Sequence, residues 1–225
     1  MFIILVSYRA RGIQSFRRTQ LIHTIENFKN FFEKHNKEYK IVISEQNNDK
    51  KFNRGLLLNA AFLESEKIFT FPKKYMHMNT DYRFNLSREF PEELSNINGF
   101  LELFRVHWPH LSLLGSACVF DPESYAKING FPNDLEGWGG DDWAIYNRII
   151  YRKVNLYTPP HLINSGFIIE ENVSFYNDES NNFKNSELAK RNDIESNGLT
   201  TIKYSIGGHG EFHGGNVFHY LINFD

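Results

Sequence analysis

The chain opens on Phe2-Ile3-Ile4-Leu5-Val6-Ser7, a run with no polar–apolar alternation. A strand with one face in water alternates, whereas an unbroken apolar strand must be covered on both faces. A helix is expected next, over residues 13–36, because Leu21, Ile25, Phe28 and Phe32 recur at helical spacing. Tyr39 to Ser44 reads as a second strand and Asn53 to Lys67 as a second helix, with Leu58, Ala61 and Phe62 on one face. Tyr75 to Met78 reads as a third strand. This order predicts an α/β fold, a Rossmann-like, mostly parallel central sheet flanked by helices.

In such a sheet, ligands sit outside the carboxyl ends of the strands. Those positions hold Tyr8-Arg9-Ala10-Arg11, then Glu45-Gln46-Asn47, then Asn79-Thr80-Asp81. Two arginines and an acid are thereby expected to face one crevice. Residues 101–120 read as further strand, and Asp142 to Lys153 as a helix with Ala144, Ile145, Arg148 and Ile149 on one face. Tyr176 to Gly198 is polar and rich in Asn and Ser, a loop or weak helix, and the tail ends in a strand-like apolar piece.

A formal net charge of -2 argues against nucleic acid as a partner. Cys118 is the sole cysteine, so no internal disulfide forms and a reducing compartment fits. The first eight residues lack a basic segment and a cleavage site, and no apolar run is long enough to cross a bilayer. The expectation is a cytoplasmic protein, with peripheral association at the inner face of the membrane left open.

The segment Trp138-Gly139-Gly140-Asp141-Asp142 fits poorly with a purely structural role. Paired glycines add no packing and cost chain entropy, but they let backbone approach a ligand. Trp138 offers a flat wall for a sugar ring, and the two acids stand where a helix begins, where its dipole favours negative charge. The structural alternative is a glycine turn with one Asp as an ordinary N-cap.

The longer stretch INGFPNDLEGWGGDDWAIYNRI resembles the signature of the β-1,4-galactosyltransferase family, roughly NGFPN-x-x-x-GWGGEDDD-x-x-NR. Phe52-Asn53-Arg54 followed by Leu57-Leu58-Asn59 is similar to that family's FNR-x-x-LLN, and Ser7-Tyr8-Arg9-Ala10-Arg11 to its PFRxR. Leu114-Gly115-Ser116 stands where the family has FGG, and Glu187 to Tyr204 resembles a later family segment. The likeness runs to about residue 206. It implies one GT-A domain over 1–225: a nucleotide-binding half to about 100, an acceptor and catalytic half over 101–206, and a tail over 207–225.

The resemblance also implies inverting transfer of a hexose or N-acetylhexosamine from a UDP-sugar to a hydroxyl of a glycan or glycolipid acceptor. Asp142 matches the catalytic acid and Asp141 the Glu before it; Trp138, Gly139, Gly140 and Asp141 belong to the substrate side. Arg9, Arg11, Phe52, Arg54 and Asn79 match nucleotide positions, where a forked guanidinium suits phosphate and a Phe ring suits uracil. Asp81 matches the metal-binding acid for Mn²⁺ or Mg²⁺, while Asn79 replaces the first acid of the family's DxD. The family's later Met or His ligands are missing: Ile168 and Glu171 fall there, leaving Glu171, or the tail's His209 or His213, as candidates. A metal-independent enzyme, with arginines carrying the leaving-group charge, is the alternative. Leu113 falls where galactose-transferring members carry Tyr, which hints at room for an N-acetyl group. His107 and Trp108 are candidates for the acceptor side. A retaining transferase, a sugar-nucleotide hydrolase and a non-catalytic nucleotide-sugar-binding module are the competing functions.

Overall fold

The computed structural model describes residues 1–10, 14–71, 73–104, 107–108, 111–112, 114, 117–137, 139–163, 165–170 and 182–224. The opening run forms β1 (Phe2–Tyr8), and all seven of its residues are buried, as an unbroken apolar strand requires. Then come α1 (Gln14–Lys34), β2 (Tyr39–Gln46), α2 (Arg54–Ile68), β3 (Lys74–Met78) and β4 (Tyr82–Phe84). After these lie β5 (Phe100–Phe104), β6 (His107–Trp108), β7 (Leu111–Ser112), β8 (Ala117–Phe120), α3 (Pro122–Lys127) and α4 (Asp141–Tyr151). The chain finishes with β9 (Leu156–Tyr157), α5 (Pro160–Ile163), β10 (Ile168–Glu170), α6 (Asn182–Ala189), β11 (Ser205–Phe212) and β12 (Val217–Asn223).

Eight strands form the central sheet in the order β11-β12-β2-β1-β3-β8-β5-β9. The four strands β12, β2, β1 and β3 run parallel, so the ends of β1, β2 and β3 share one edge. Beyond β3 the pairing changes: β8 is antiparallel to both β3 and β5, while β9 is parallel to β5. The sheet is therefore a parallel centre with mixed flanks, less uniformly parallel than the sequence suggests. The strand–helix–strand alternation that predicts parallel neighbours runs unbroken only from β1 to β3; among the described residues no α-helix stands between β3 and β8, so β5 and β8 are free to pair antiparallel. The end of the chain is part of this sheet, because β12 lies beside β2 and β11 folds back along its other side.

The two faces of the sheet have separate cores. On one, Phe28, Phe31 and Phe32 of α1 pack on Ile4, Val6, Ile41, Ile43 and Met76. Phe31 stacks on Phe84 with ring centroids 4.2 Å apart, which ties α1 to β4. On the other face lie Leu57, Leu58 and Ala61 of α2, joined by Tyr125, Ile145 and Ile149 from the later half. The α2 helix starts where the Asn53 side chain accepts a hydrogen bond from the Leu56 amide at 2.9 Å, an N-cap that fixes Arg54 in its first turn. Among the described residues no helix is long and apolar enough to cross a membrane.

Candidate active site

The turn after β3 is pinned from below. The Tyr82 amide donates to the Asn79 carbonyl at 3.2 Å. The Thr80 carbonyl accepts from the Thr24 hydroxyl of α1 at 2.6 Å and from Arg83 Nη1 at 2.9 Å. Arg83, buried, also reaches the Thr24 hydroxyl and the Gln20 carbonyl. These contacts hold the half-buried Asp81 at the carboxyl edge of the sheet. Burial pushes its carboxyl above the ordinary range, against the pull of Arg17, Arg54 and Arg83.

A second wall comes from the loop before α4. Gly139 and Gly140 both have positive φ, at 103° and 86°, and Gly140 is the residue at which α4 begins. A Cβ on Gly140 would stand 2.8 Å from both the Cβ and the carbonyl oxygen of Asn185 on α6. The Asn185 amide nitrogen donates to the Gly139 carbonyl at 2.8 Å and the Glu136 carbonyl at 3.1 Å. The Gly137 amide donates to the Phe52 carbonyl at 2.7 Å, which joins this loop to the start of α2. Gly140 thus serves a close approach between α4 and α6, a packing role that residue type and spacing do not reveal.

Asp141 and Asp142 stand together in the first turn of α4 but in different surroundings. The Asp141 side chain is 6% exposed and that of Asp142 25%. One guanidinium serves both: Arg54 Nη2 lies 2.7 Å from Asp142 Oδ1 and 3.3 Å from Asp141 Oδ2. Burial pushes the Asp141 carboxyl up to about 6; Arg54 opposes the rise and the neighbouring Asp142 adds to it. Among the described residues Asp141 Oδ1 has no hydrogen-bond partner. Behind Arg54, burial holds the His77 imidazole well below its usual range, and the arginine adds to the effect. A neutral imidazole there adds no second positive charge beside Arg54.

The structure brings Asp141, Asp142 and Arg54 together directly after Gly139 and Gly140, with Asp81, close to Asn79 in the chain, within electrostatic reach of Arg54, and with Phe52 tied to the same loop and Arg9 over its ring. Arg9 lies over the Phe52 ring, its guanidinium carbon 5.6 Å from the centroid, and donates to the Lys50 carbonyl at 2.6 Å. The sequence assigns Arg54 to the nucleotide; in the structure its guanidinium has two carboxylate partners, because the N-capped start of α2 faces the start of α4. Arg11, Leu113, Trp138 and Glu171 lie outside the described residues. His107 and Trp108 form β6, paired with β7.

Neither tail histidine joins Asp81. His209 lies on β11, four strand positions from β3, about 19 Å at the usual inter-strand spacing. His213 is in the β11–β12 hairpin, which precedes a strand parallel to β3 and so sits at the opposite edge of the sheet from Asp81. Among the described residues no group of three His, Cys, Asp or Glu could hold a metal ion. What is present, the partly buried Asp81 carboxyl with Asn79 two residues before it, offers oxygen ligands of the kind a hard divalent cation takes, the others coming from a diphosphate and water.

The residues missed in the sequence are the asparagines of the motifs. Asn59 Nδ2 donates to the Phe131 carbonyl at 2.8 Å, and its Oδ1 accepts from the Phe131 amide at 3.0 Å and the Tyr125 hydroxyl at 2.8 Å. Asn53 Nδ2 holds the Asn133 carbonyl at 2.7 Å. Asn129 and Arg148 bind the chain again near 194–200, Arg148 reaching the Gly130 carbonyl at 2.9 Å and the Asn197 carbonyl at 2.6 Å. A signal was available: side chains that both donate and accept, placed at the ends of predicted elements, suit the cross-linking of irregular backbone.

Residues 2–80 match the profile described as the N-terminal region of glycosyl transferase group 7, and residues 97–172 that described as the N-terminal domain of galactosyltransferase. The chain is similar to beta-1,4-galactosyltransferase 1 of Homo sapiens, 26% identical over 174 residues, 75% of this chain and 43% of that protein. It thus spans less than half the length of the curated relatives it matches first. Among solved structures, the catalytic domain of Drosophila beta-1,4-galactosyltransferase 7 in complex with xylobiose superposes with a TM-score of 0.77 at 20% identity, covering 100% of this chain and 94% of that one. A mutant of the same Drosophila enzyme, in complex with manganese, UDP-Gal and xylobiose, superposes with a TM-score of 0.78 at 20% identity and the same coverage. The fold is thus that of the GT-A glycosyltransferases.

Proposed function

Because this chain belongs to the galactosyltransferase family of glycosyltransferase group 7, we propose that it is an inverting glycosyltransferase that moves a hexose or N-acetylhexosamine from a UDP-sugar to a hydroxyl of a glycan or glycolipid acceptor. The observation that carries this reading is the pair of carboxylates at the start of α4, one buried and one open to the crevice, bridged by Arg54.

Asp142 is the general base. It is the more exposed of the two acids, and the amino end of α4 together with Arg54 favours negative charge at that point. The acceptor oxygen attacks the anomeric carbon while its proton passes to Asp142 Oδ2, the oxygen not held by Arg54. The bond from that carbon to the donor's diphosphate oxygen breaks, and UDP leaves with the electron pair. Such base assistance is worth about 10²–10⁴-fold. Asp141, buried beside it, fixes Arg54 from the other side and thereby keeps Asp142 in one orientation. Arg9 and Phe52 bind the nucleotide, the ring meeting uracil and the guanidinium a phosphate. Asp81 and Asn79 would hold a divalent metal, which supplies positive charge for the leaving diphosphate; the manganese and UDP-Gal of the Drosophila neighbour support this choice of cofactor and donor class.

The test is UDP release from a panel of UDP-sugars, in Mn²⁺, in Mg²⁺ and in EDTA, for wild type and Asp142→Asn. Metal-dependent release that falls at least 100-fold in the variant, with UDP binding retained, is the expected result. Release in EDTA would remove the metal from the reading and keep the enzyme. UDP binding without release from any donor, with xylobiose and other glycan acceptors supplied, would leave a nucleotide-sugar-binding module.

A further inference from the structure

Asn185 is 1% exposed, yet it belongs to α6, a helix of eight residues with little apolar surface of its own. Both of its amide hydrogens are committed to the loop that precedes the catalytic helix, on the carbonyls of Glu136 and Gly139. Its Cβ and backbone fill the space that a side chain at residue 140 would take, and among the described residues its Oδ1 has no partner. Burying an amide oxygen unpaired costs stability, about 1–3 kcal/mol. Packing alone would be served by an alanine or leucine; the amide adds two donors aimed at two carbonyls of one loop.

Those carbonyls matter because they stand just ahead of the two acids in the chain. Gly139 and Gly140 both sit in left-handed backbone, and the direction in which α4 leaves Gly140 sets where Asp141 and Asp142 point. Without an outside constraint a glycine pair has several accessible conformations. The Gly137 amide is held by Phe52 on one side and the Gly139 carbonyl by Asn185 on the other, so the loop is fixed from α2 and from α6 at once. The contact of α6 with α4 continues along Trp143, Ala144, Leu188 and Ala189, and Asn147 Nδ2 donates to the Ala189 carbonyl at 3.1 Å.

We propose that Asn185 is a positioning residue for the transfer step: its amide sets the Gly139–Gly140 backbone and through it the direction of the Asp142 carboxylate, while taking no part in nucleotide binding. The proposal rests on Asp142 being the base. Misplacing a reacting group by about 1 Å can cost about 100-fold in rate, so the expected effect falls on kcat.

Two variants separate the amide's hydrogen bonds from its packing. Asn185→Asp keeps the shape and replaces two donors by an acceptor facing two carbonyls; Asn185→Ala removes the amide and keeps the helix former. The measurements are kcat and KM for the UDP-sugar, the Kd for UDP, and the thermal midpoint, with wild type and Asp142→Asn alongside. We expect kcat to fall about 10–100-fold in both variants, the Kd for UDP to stay within about twofold, and Asp to be at least as damaging as Ala. A lowered midpoint with wild-type kcat would overturn the proposal and leave Asn185 a packing residue. Equal loss in kcat and in UDP affinity would overturn it too, because the defect would then reach the whole crevice. A wild type that binds UDP but turns nothing over would instead count against the transferase reading, and the variants would not be needed to see it.

Discussion

Removing the Arg54 guanidinium tests the electrostatics of the crevice without any assumption about substrate. In Arg54→Met the stem of the side chain is kept and the two carboxylates lose their shared cation. Breaking a buried ion pair on one side typically costs about 3–5 kcal/mol. The pH dependence of that cost is more informative than its size. Asp141 is nearly buried, and its carboxyl in the folded protein is pushed up to about 6, above the roughly 3.9 of an unfolded chain. A group raised on folding contributes stability that is fully present below its unfolded value and lost as pH rises through its folded value. In the wild type this loss runs from about pH 4 to about pH 6 and then stops.

Without Arg54 the folded-state value climbs further, and the loss continues above pH 6. Each unit is worth about 1.36 kcal/mol, so between pH 6 and pH 8 the variant loses at most about 3 kcal/mol more than the wild type does. At pH 5 Asp141 is mostly protonated in both proteins, and the variant forfeits chiefly the partly exposed contact with Asp142, about 1 kcal/mol. His77 acts in the same direction: its lowered value relaxes upward when Arg54 is gone, which eases the variant at acid pH. Urea unfolding of wild type, Arg54→Met and Arg54→Met/Asp141→Asn at pH 5, 6.5 and 8 reads this directly. The single variant's deficit should grow with pH, and the double variant's should grow by less, since His77 responds in both while Asp141 titrates only in the single variant. A deficit independent of pH, or one that persists unchanged in the double variant, refutes the assignment of Asp141 as a buried carboxylate held by Arg54.

Gly198→Ala should unfold the later half of the chain or cost more than about 3 kcal/mol by urea unfolding, because φ is 151° and an added Cβ would sit 1.9 Å from the Asn129 carbonyl oxygen. Asn59→Leu leaves the Phe131 amide and the Tyr125 hydroxyl without their acceptor; denaturant midpoints should show about 2–4 kcal/mol of lost stability. Phe52→Ala should weaken UDP binding by roughly tenfold in calorimetry, at about 1–3 kcal/mol for a lost base stack, with little change in thermal midpoint.

The legible part of this protein is what depends on periodicity and on chain direction. Leu21, Ile25, Phe28 and Phe32 predict α1, and the apolar run of β1 predicts cover on both faces; both come from local rules. The switch to antiparallel pairing after β3 was not legible, since it depends on which strand edges remain open once the parallel centre has formed. The same divide runs through the site. Asp141 and Asp142 at a helix start could be read from residue type and spacing, but the contact between Arg54 and Asp142 joins positions 88 residues apart. Asn59 looked like part of a motif and proved to be a cross-link, because a side chain's partners across the fold are set by packing and not by its neighbours in sequence.

The two adjacent carboxylates thereby resolve into different tasks. Identical side chains one residue apart on a helix point about 100° apart around its axis, so one turns into the core and the other toward the crevice. The inward one, Asp141, meets Arg54 at 3.3 Å, is itself raised by burial, and holds a guanidinium that is largely screened from water. The outward one, Asp142, meets the same guanidinium at 2.7 Å through one oxygen, and its other oxygen is the one proposed to take the acceptor's proton. An acid pair that would repel in a scaffold is stabilised by sharing a single cation. That cation is fixed by an N-capped helix from the first half of the chain, while the pair is aimed by the glycines that Asn185 and Phe52 hold. The segment from Trp138 to Asp142 carries no such geometry by itself; the halves of the chain supply it only when α2 and α6 close on the start of α4.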